Sequence, residues 1–300
     1  MKLYFMVGIP GSGKSTYAKE LSKHTGAVIF SSDVIREEIG ADGGDVSKHS
    51  EVFKILHNRI YESLLNGNDC IYDATNINRK KREAFLKELN SKVSGVTKIC
   101  IVMATPVDYC KMFNGGREGK AKVPHDVIDR MYKNWQTPYY AEGWDKIFLH
   151  YVYDYFRTCN GTPKEFCDTF YGYDQNNPHH RFSLGIHSLV VGNALFNESY
   201  ELIVTGLLHD CGKPYVRDTD EDGVSHYYNH QNVGAYEAMF FDYSEYPHID
   251  PIYISFLINC HMNPFGWKDK ENGWANFQKR YGKQERNDLY KLHEKDRLCH

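Results

Sequence analysis

Residues 8–15, Gly-Ile-Pro-Gly-Ser-Gly-Lys-Ser, restrict the fold of this chain more than any other stretch. They match the pattern G-x-x-x-x-G-K-[ST] and lie between an apolar run at 3–7 and a charged, helix-periodic segment at 14–24. A glycine-rich turn between a strand and a helix lets backbone N–H groups surround phosphate oxygens, and the helix N-terminus adds positive potential. The sequence therefore predicts a phosphate-binding loop for a nucleoside triphosphate.

The side chains of this loop have separate expected roles. Lys14 is expected to reach the β- and γ-phosphates, and the Ser15 hydroxyl is expected to coordinate Mg²⁺. The other predicted nucleotide contacts are Gly8, Gly11, Ser12, Gly13 and Thr16. The expected cofactor is thus ATP or another nucleoside triphosphate with Mg²⁺.

The periodicity of apolar residues divides the chain into two parts, because 300 residues is about twice the usual size of one domain. Strand-like runs alternate with helix-periodic segments in the first part, at 3–7, 14–24, 27–30, 50–66, 70–72, 78–90, 98–104 and 146–152. This alternation predicts an α/β domain over 1–155, with a parallel sheet covered by helices on both faces. The spacing becomes helical after a Gly-, Pro-, Asn- and Asp-rich stretch at 158–180, which predicts an all-α domain without strands over 156–300.

Charge and cysteine content narrow the class of protein. A net charge of −3, from 36 basic and 39 acidic residues, argues against electrostatic coating of nucleic acid but leaves a local basic channel open. None of the eight cysteines has C-x-x-C spacing, so neither a zinc ribbon nor a disulfide framework is expected. The apolar run at the N-terminus is too short for a signal peptide, and no segment is long enough to span a membrane. We therefore expect a cytoplasmic protein without a membrane partner.

Charged residues follow two of the predicted strands. Asp33 and Arg36 come after the second strand, and Asp73 ends the third. A carboxylate at the carboxyl edge of a strand beside the phosphate loop can accept the proton of an acceptor hydroxyl. Asp33 equally suits the N-cap of the next helix, so both interpretations stay open. Asp73 is placed to support Mg²⁺ or substrate.

A Gly- and Lys-rich loop at 114–124 precedes another helical segment. Glycines together with cations are typical of a lid over donor phosphates, in which Arg117 would stabilise negative charge. A solvated surface loop has the same composition, and the residues by themselves do not separate the two.

The order of these motifs resembles the polynucleotide 5′-kinase domain of end-healing enzymes, over about residues 1–150. The matching stretches are the phosphate loop, S-S-D-x-x-R at 31–36, D-A-T-N at 73–76 and R-x-x-K-x-K-V-P at 117–124. The resemblance implies that Asp33 is the general base on a 5′-hydroxyl. It also implies that Arg36 contacts the 3′-phosphate of the terminal nucleotide and that Arg117 contacts the donor.

Histidines are concentrated in the second half of the chain, where most of the 15 follow residue 178. A single histidine is usually an ordinary polar residue, but several of these lie on separate apolar helical segments beside carboxylates. The set is His187, His209, Asp210, His230, His261 and Asp296. Imidazole and carboxylate groups that converge inside a helical bundle suit Mn²⁺, Fe, Co²⁺, Ni²⁺ or Zn²⁺.

The same residues resemble the ordered H…HD…D signature of the HD phosphohydrolase superfamily, over about 175–300. The resemblance implies that a first metal is held by His187, His209, Asp210 and Asp296. It implies that His230 and His261 add a second ion bridged by Asp210, and that Lys213 contacts substrate phosphate. The loop at 174–180 suits either an ordinary turn or a part of the substrate pocket that would include His179 or His180. A bound metal activates water for attack on phosphorus.

Together the two resemblances predict a bifunctional enzyme that heals RNA or DNA ends, with RNA favoured. One site would phosphorylate a 5′-hydroxyl, and the other would hydrolyse a 2′,3′-cyclic, 2′- or 3′-phosphate, so that a ligase could act next. The alternative is a small-molecule or nucleoside kinase fused to an HD nucleotidase or cyclic-nucleotide phosphodiesterase. The presence of Lys14, Asp33 and a full histidine–aspartate set disfavours a non-catalytic regulator.

Overall fold

The first half of the chain forms the parallel sheet that its alternating segments predict. In the computed structural model, which describes residues 1–41, 48–119, 122–178 and 181–299, the strands of this sheet are β1 (Lys2–Val7), β2 (Val28–Ser31), β3 (Cys70–Asp73), β4 (Thr97–Ala104) and β5 (Lys146–Tyr151). They pair in parallel in the order β2-β3-β1-β4-β5. The strand that leads into the phosphate loop, β1, is therefore central.

Helices cover both faces of this sheet. The helices of this half are α1 (Lys14–Thr25), α2 (Ser32–Glu38), α3 (His49–Leu65), α4 (Arg79–Lys92), α5 (Val107–Gly115) and α6 (His125–Lys133). Successive residues of a strand point to opposite faces. Met6 accordingly packs in an apolar cluster with Ala18 of α1, whereas the ring of Phe5 lies 5.5 Å from that of Phe85 in α4.

A buried ion pair fixes the loop that follows β3. The guanidinium of Arg82 donates two hydrogen bonds of 2.7 Å to Glu142, and both side chains are fully buried. Arg82 also donates to the carbonyl of Asn76. Removal of one partner from such a buried pair costs about 3–5 kcal/mol, so this contact holds the segment after Asp73 firmly in place.

The second half of the chain is mainly helical. Its helices are α7 (Pro163–Thr169), α8 (Leu184–Ala194), α9 (Tyr200–Leu208), α10 (Lys213–Val216), α11 (His230–Glu237), α12 (Pro251–Cys260), α13 (Asn263–Gly266), α14 (Lys270–Tyr281) and α15 (Lys283–Leu298). The expectation of no strand is wrong, because β6 (Asp218–Thr219) and β7 (Ser225–His226) form a short antiparallel hairpin. Its polar turn, with Gly223 at φ 82° and Asp220 accepting from the Val224 N–H, lacks the apolar alternation that marks a strand.

The chain divides into two compact units. The first comprises Met1–Met131 and Pro138–Tyr153, and the second comprises Tyr132–Thr137 and the chain from Asp154 onward. The short segment Tyr132–Thr137 joins the second unit through the buried Trp135, whose carbonyl accepts a hydrogen bond from Asn259.

Neither unit contains a disulfide, because all eight cysteines are free thiols. In the part of the chain that the structure describes, no helix has the length and apolar character needed to cross a membrane.

Candidate active sites

The phosphate loop of the first unit depends on glycine at two positions. Gly11 and Gly13 have φ angles of 84° and 87°, in the left-handed region that glycine adopts without strain. A Cβ at Gly11 would also overlap the carbonyl oxygen of Cys110 in α5. Because the backbone must both turn and approach α5 closely, the loop forms a tight curve that ends at Lys14, the first residue of α1.

Lys14 lies on this loop with its side chain almost fully buried. Its Nζ donates to the carbonyl of Ile9 at 2.8 Å and lies 3.4 Å from Oγ of Ser12. Burial lowers the pKa of Lys14, while Asp73 acts in the opposite direction. The ammonium is thus held at the loop where donor phosphates are expected.

The predicted carboxylates lie at neighbouring strand ends. Ser31 of β2 pairs in register with Asp73 of β3, which is buried and hydrogen-bonds the side chain of Ser15. Burial raises the pKa of Asp73, and Lys14 opposes that rise. Asp73 and Ser15 therefore form one pair of oxygen donors next to Lys14, as a Mg²⁺ site requires.

Asp33 is available for chemistry, because another residue caps its helix. The N-cap of α2 is Ser31, whose Oγ accepts a hydrogen bond from the backbone N–H of Asp33. The Asp33 side chain is 83% exposed, and its Oδ1 lies 4.0 Å from Nε of Arg36.

Two residues that sequence reasoning missed, His49 and Lys81, form a cluster with Arg36 in which the two cations lie on either side of the His49 ring. Nη2 of Arg36 lies 3.3 Å from Nδ1 of His49, and Nζ of Lys81 lies 3.4 Å from Nε2 of the same ring. Burial lowers the pKa of His49, and Lys81 and Arg36 lower it further. His49 comes from α3 and Lys81 from α4, so no contiguous motif could have predicted this cluster.

A cleft of about 340 Å³ lies beside the phosphate loop. Its lining includes Gly11, Gly13, Thr16, Phe113, Arg117 and Tyr153. Arg117 is close enough to influence the pKa values of Lys14 and Asp73. The predicted lid loop is closed at its base by two hydrogen bonds between Asn114 and Val123, and its residues 120 and 121 lie outside the described residues.

The remaining predicted contacts, Gly8 and Ser12, are part of the loop framework. The Gly8 N–H donates to the carbonyl of Thr75, and the carbonyl of Ser12 accepts from the hydroxyl of Thr105. These bonds connect the loop to the ends of β3 and β4.

The second unit brings all six predicted metal ligands together around Asp210. Oδ2 of Asp210 lies 3.6 Å from Nε2 of His187 and 3.4 Å from Nε2 of His209. Oδ1 of the same carboxylate lies 3.2 Å from Nε2 of His230 and 3.8 Å from Nε2 of His261. One buried carboxylate thus separates two pairs of imidazoles.

Asp296 completes the first of these pairs. Its Oδ1 lies 3.1 Å from Nε2 of His187 and 3.5 Å from Nε2 of His209. Two groups of ligand atoms result, and in each the donor atoms lie within 4.8 Å of one another: His187, His209 and Asp210, and Asp210, His230 and His261.

The orientation of the rings fits metal ligation. Nδ1 of His209, His230 and His261 each bonds a backbone carbonyl, at 2.9, 2.7 and 2.7 Å. A carbonyl only accepts, so Nδ1 carries a proton in each ring, and Nε2, which faces Asp210, is the atom that would bind a metal. This fixed tautomer is the usual arrangement of histidines that bind metals.

The electrostatics of this cluster also suit a divalent cation. Burial lowers the pKa of His261 to about 3, and His230 and His209 act in the same direction. Burial alone would raise the pKa of Asp210, but Lys213 and His209 hold it well below its usual range. Burial would lower the pKa of His209, but Asp210 and Asp296 raise it to about 9, so a divalent cation would replace a proton on this ring. Imidazoles and ionised carboxylates together form a donor set for a first-row transition metal.

The His209–Asp210 pair reaches the site because α9 ends at Leu208 and the chain turns there. Gly212 has ordinary right-handed helical angles, so its role is steric. A Cβ at this position would approach the carbonyl oxygen of His230 to well under 3.0 Å. Glycine therefore allows α10 and α11 to lie close together, with Asp210 and His230 in contact.

Lys213 forms an ion pair with Asp210. Its Nζ is 2.7 Å from Oδ2 of Asp210 and donates to Oε1 of Gln175, also at 2.7 Å. Sequence reasoning missed Gln175, which lies in a polar segment without a pattern of its own. The predicted pocket residues His179 and His180 lie outside the described residues.

Comparison with known proteins bears on the first half of the chain. Residues 3–138 match a family model described as an AAA domain. The L-seryl-tRNA(Sec) kinase of Methanococcus maripaludis is 29% identical over 151 residues, which cover 48% of this chain and 56% of that protein. The chain thus spans about half the length of this curated relative.

Two solved structures also match about half of the chain. A putative kinase from Chloroflexus aurantiacus has a TM-score of 0.42 at 14% identity, covering 51% of this chain and 89% of that one. A gluconokinase from Sinorhizobium meliloti has a TM-score of 0.36 at 14% identity, covering 50% and 82%. The family match, the phosphate loop and the strand order show that the N-terminal half has the parallel-sheet α/β fold of P-loop kinases.

Proposed function

We propose that this chain is a bifunctional enzyme that acts on the ends of nucleic acids, with RNA favoured. The first unit would phosphorylate a 5′-hydroxyl, and the second would hydrolyse a 2′,3′-cyclic, 2′- or 3′-phosphate. The observation that carries the proposal is the position of Asp210 between two imidazole pairs, in a chain that also has a phosphate loop. The two sites would perform opposite phosphate reactions.

In the kinase reaction, the loop backbone and Lys14 would hold the donor phosphates, and Arg117 would add positive charge. Mg²⁺, held by Ser15 and Asp73, supplies further charge neutralisation when bound. The acceptor hydroxyl loses its proton to Asp33 as its oxygen bonds to the γ-phosphorus. The bond to the β–γ bridging oxygen breaks, and the nucleoside diphosphate leaves with that oxygen.

Two observations support a nucleic acid as the acceptor. Arg36 provides positive charge near Asp33, where a strand would present the phosphate next to its terminal hydroxyl, and Lys81 adds a second cation on the other side of the His49 ring. The curated relative is named an L-seryl-tRNA(Sec) kinase, so the substrate in its name contains RNA.

The residues of the second unit would hold one or two divalent ions of Mn, Fe, Co, Ni or Zn. The first ion would contact His187, His209, Asp210 and Asp296, and the second Asp210, His230 and His261. A bound ion lowers the pKa of water and neutralises charge on a phosphoryl oxygen. The buried ammonium of Lys213 supplies a further positive charge beside Asp210 for the substrate phosphate.

The two proposed activities together suit the ends that ribonuclease-type cleavage of RNA produces. Cleavage of the ribonuclease type leaves a 2′,3′-cyclic phosphate on one side and a 5′-hydroxyl on the other. An enzyme with both sites would convert these ends into a 3′-hydroxyl and a 5′-phosphate, which a ligase in the cytoplasm can join.

Transfer of radiolabel from [γ-³²P]ATP to a 5′-hydroxyl oligonucleotide tests the kinase half, and release of phosphate from a 2′,3′-cyclic end with Mn²⁺ tests the other. Asp33→Asn should abolish only the first reaction and Asp210→Asn only the second. L-seryl-tRNA and small hydroxylated metabolites serve as competing acceptors. Phosphorylation of a metabolite without labelling of the oligonucleotide would contradict the proposal and favour a small-molecule kinase fused to a nucleotidase.

A further inference from the structure

Lys213 bonds Oδ2 of Asp210, the carboxylate oxygen that faces the proposed first metal position. Its Nζ is 2.7 Å from Oδ2 of Asp210, and this is the oxygen nearest to His187 and His209. A divalent cation held by the two imidazoles and Oδ2 would be repelled by an ammonium on that oxygen. A cation at this position should therefore weaken the bond between Lys213 and Asp210.

Water does not solvate the Lys213 ammonium in this buried position. Lys213 is only 3% exposed, and a buried charge that loses its partner is strongly destabilised. The second acceptor of Lys213, Oε1 of Gln175, lies at 2.7 Å on a residue that is only 2% exposed.

Gln175 is itself held by two further hydrogen bonds. Its Nε2 donates to the carbonyl of Phe182, and its own carbonyl accepts from the hydroxyl of Tyr227. The carbonyl of Tyr227 in turn accepts from Nδ1 of His230, in the second ligand group. The side-chain oxygen of Gln175 is thus a fixed acceptor whose position does not depend on Asp210.

We propose that Gln175 is a positioning residue that retains the Lys213 ammonium when a divalent cation takes Oδ2 of Asp210. This inference rests on the proposed function of the second unit. Gln175 keeps an acceptor on the buried ammonium when the metal binds, beside the ring of Tyr227 at 5.5 Å, and it keeps Lys213 next to the site for the substrate phosphate. Its effect on metal affinity is transmitted through Lys213.

The affinity of the full chain for Mn²⁺, measured by isothermal titration calorimetry, tests this relationship. Gln175→Leu preserves the size of the side chain but removes the acceptor, and we expect affinity to fall about tenfold, as for other groups that support metal ligands. On a Lys213→Met background the same change should have no effect, because no ammonium remains to be held. Gln175→Glu, which keeps an oxygen at this position, should retain wild-type affinity or exceed it.

Asn177→Ala is the matched control, since it removes a hydrogen bond from the same loop to the carbonyl of Ser225 and should leave Mn²⁺ affinity unchanged. An equal loss for Gln175→Leu with and without Lys213 would show that Gln175 acts only through the loop and would overturn the inference. Unchanged affinity in both backgrounds would also overturn it. Absence of Mn²⁺ binding by the wild type would instead contradict the hydrolytic half of the proposed function, and the inference would fail with it.

Discussion

Oδ1 of Asp296 lies 3.1 Å from Nε2 of His187, so α15 supplies a carboxylate to ligands that come from α8 and the end of α9. The third element, α15, is far from the other two in the chain. Because all three belong to the second unit, we expect substitutions in this cluster to leave the kinase reaction of the first unit unchanged.

Substitution Asp296→Asn should impair the metal site while the side chain keeps its shape. Loss of one anionic oxygen should weaken Mn²⁺ binding at least about tenfold and reduce cyclic-phosphate hydrolysis in proportion. Calorimetry and a phosphatase assay measure the two effects. Asp288→Asn is a matched control on the same helix, because Asp288 is equally buried but bonds Tyr253 and Gln284 instead. Equal losses in the two variants would contradict a ligand role for Asp296.

Substitution Asp33→Asn should affect the chemical step of the kinase reaction. Removal of a general base typically lowers the rate about 10²- to 10⁴-fold. ATP affinity should stay unchanged, because Lys14 and the loop glycines are intact. Single-turnover kinetics and nucleotide titration separate the two quantities. Glu37→Gln, an exposed carboxylate on the same helix, should have wild-type kinetics, and full activity of Asp33→Asn would exclude it as the base.

Substitution Gly212→Ala should destabilise the second unit, because a Cβ would press on the carbonyl of His230. Overpacking of this kind typically costs about 1–3 kcal/mol of unfolding free energy. Gly266→Ala is the matched control in a comparable short helix, where a Cβ would meet open space. Urea denaturation of both variants should show a loss only for Gly212→Ala.

Stability should fall on acidification because of His57 in α3. Burial lowers the pKa of His57 from 6.5 to about 4, and its Nε2 bonds the hydroxyl of Tyr72 at 2.9 Å. Between pH 6.5 and about pH 4, His57 is protonated in the unfolded chain but stays neutral in the folded chain. Unfolding free energy should therefore decrease as pH falls from 6.5 towards 4, by about 3 kcal/mol, and then level off.

Urea denaturation of wild type and His57→Gln, at neutral pH and at about pH 4.5, measures this contribution. The glutamine has no such titration, so the variant should lose less stability between the two conditions. An equal pH dependence in both proteins would assign the effect to other groups.

Short sequence patterns predicted the secondary-structure elements that depend only on neighbouring residues. The strands, the phosphate loop and α1 follow from apolar periodicity and from glycines at left-handed positions, which depend on a few consecutive residues. The hairpin β6–β7 escaped this reasoning because its strands are two residues long and polar.

The candidate sites divide in the same way. The sequence by itself determined which residue types are available: a phosphate loop with Lys14, carboxylates after strands, and a set of histidines and aspartates in order. Only the tertiary structure decided that Asp210 separates two imidazole pairs, that His49 lies between Arg36 and Lys81, and that Gln175 bonds Lys213. The reason is physical, since burial and side-chain contact arise from the packing of elements distant in the chain, which no short stretch of residues specifies.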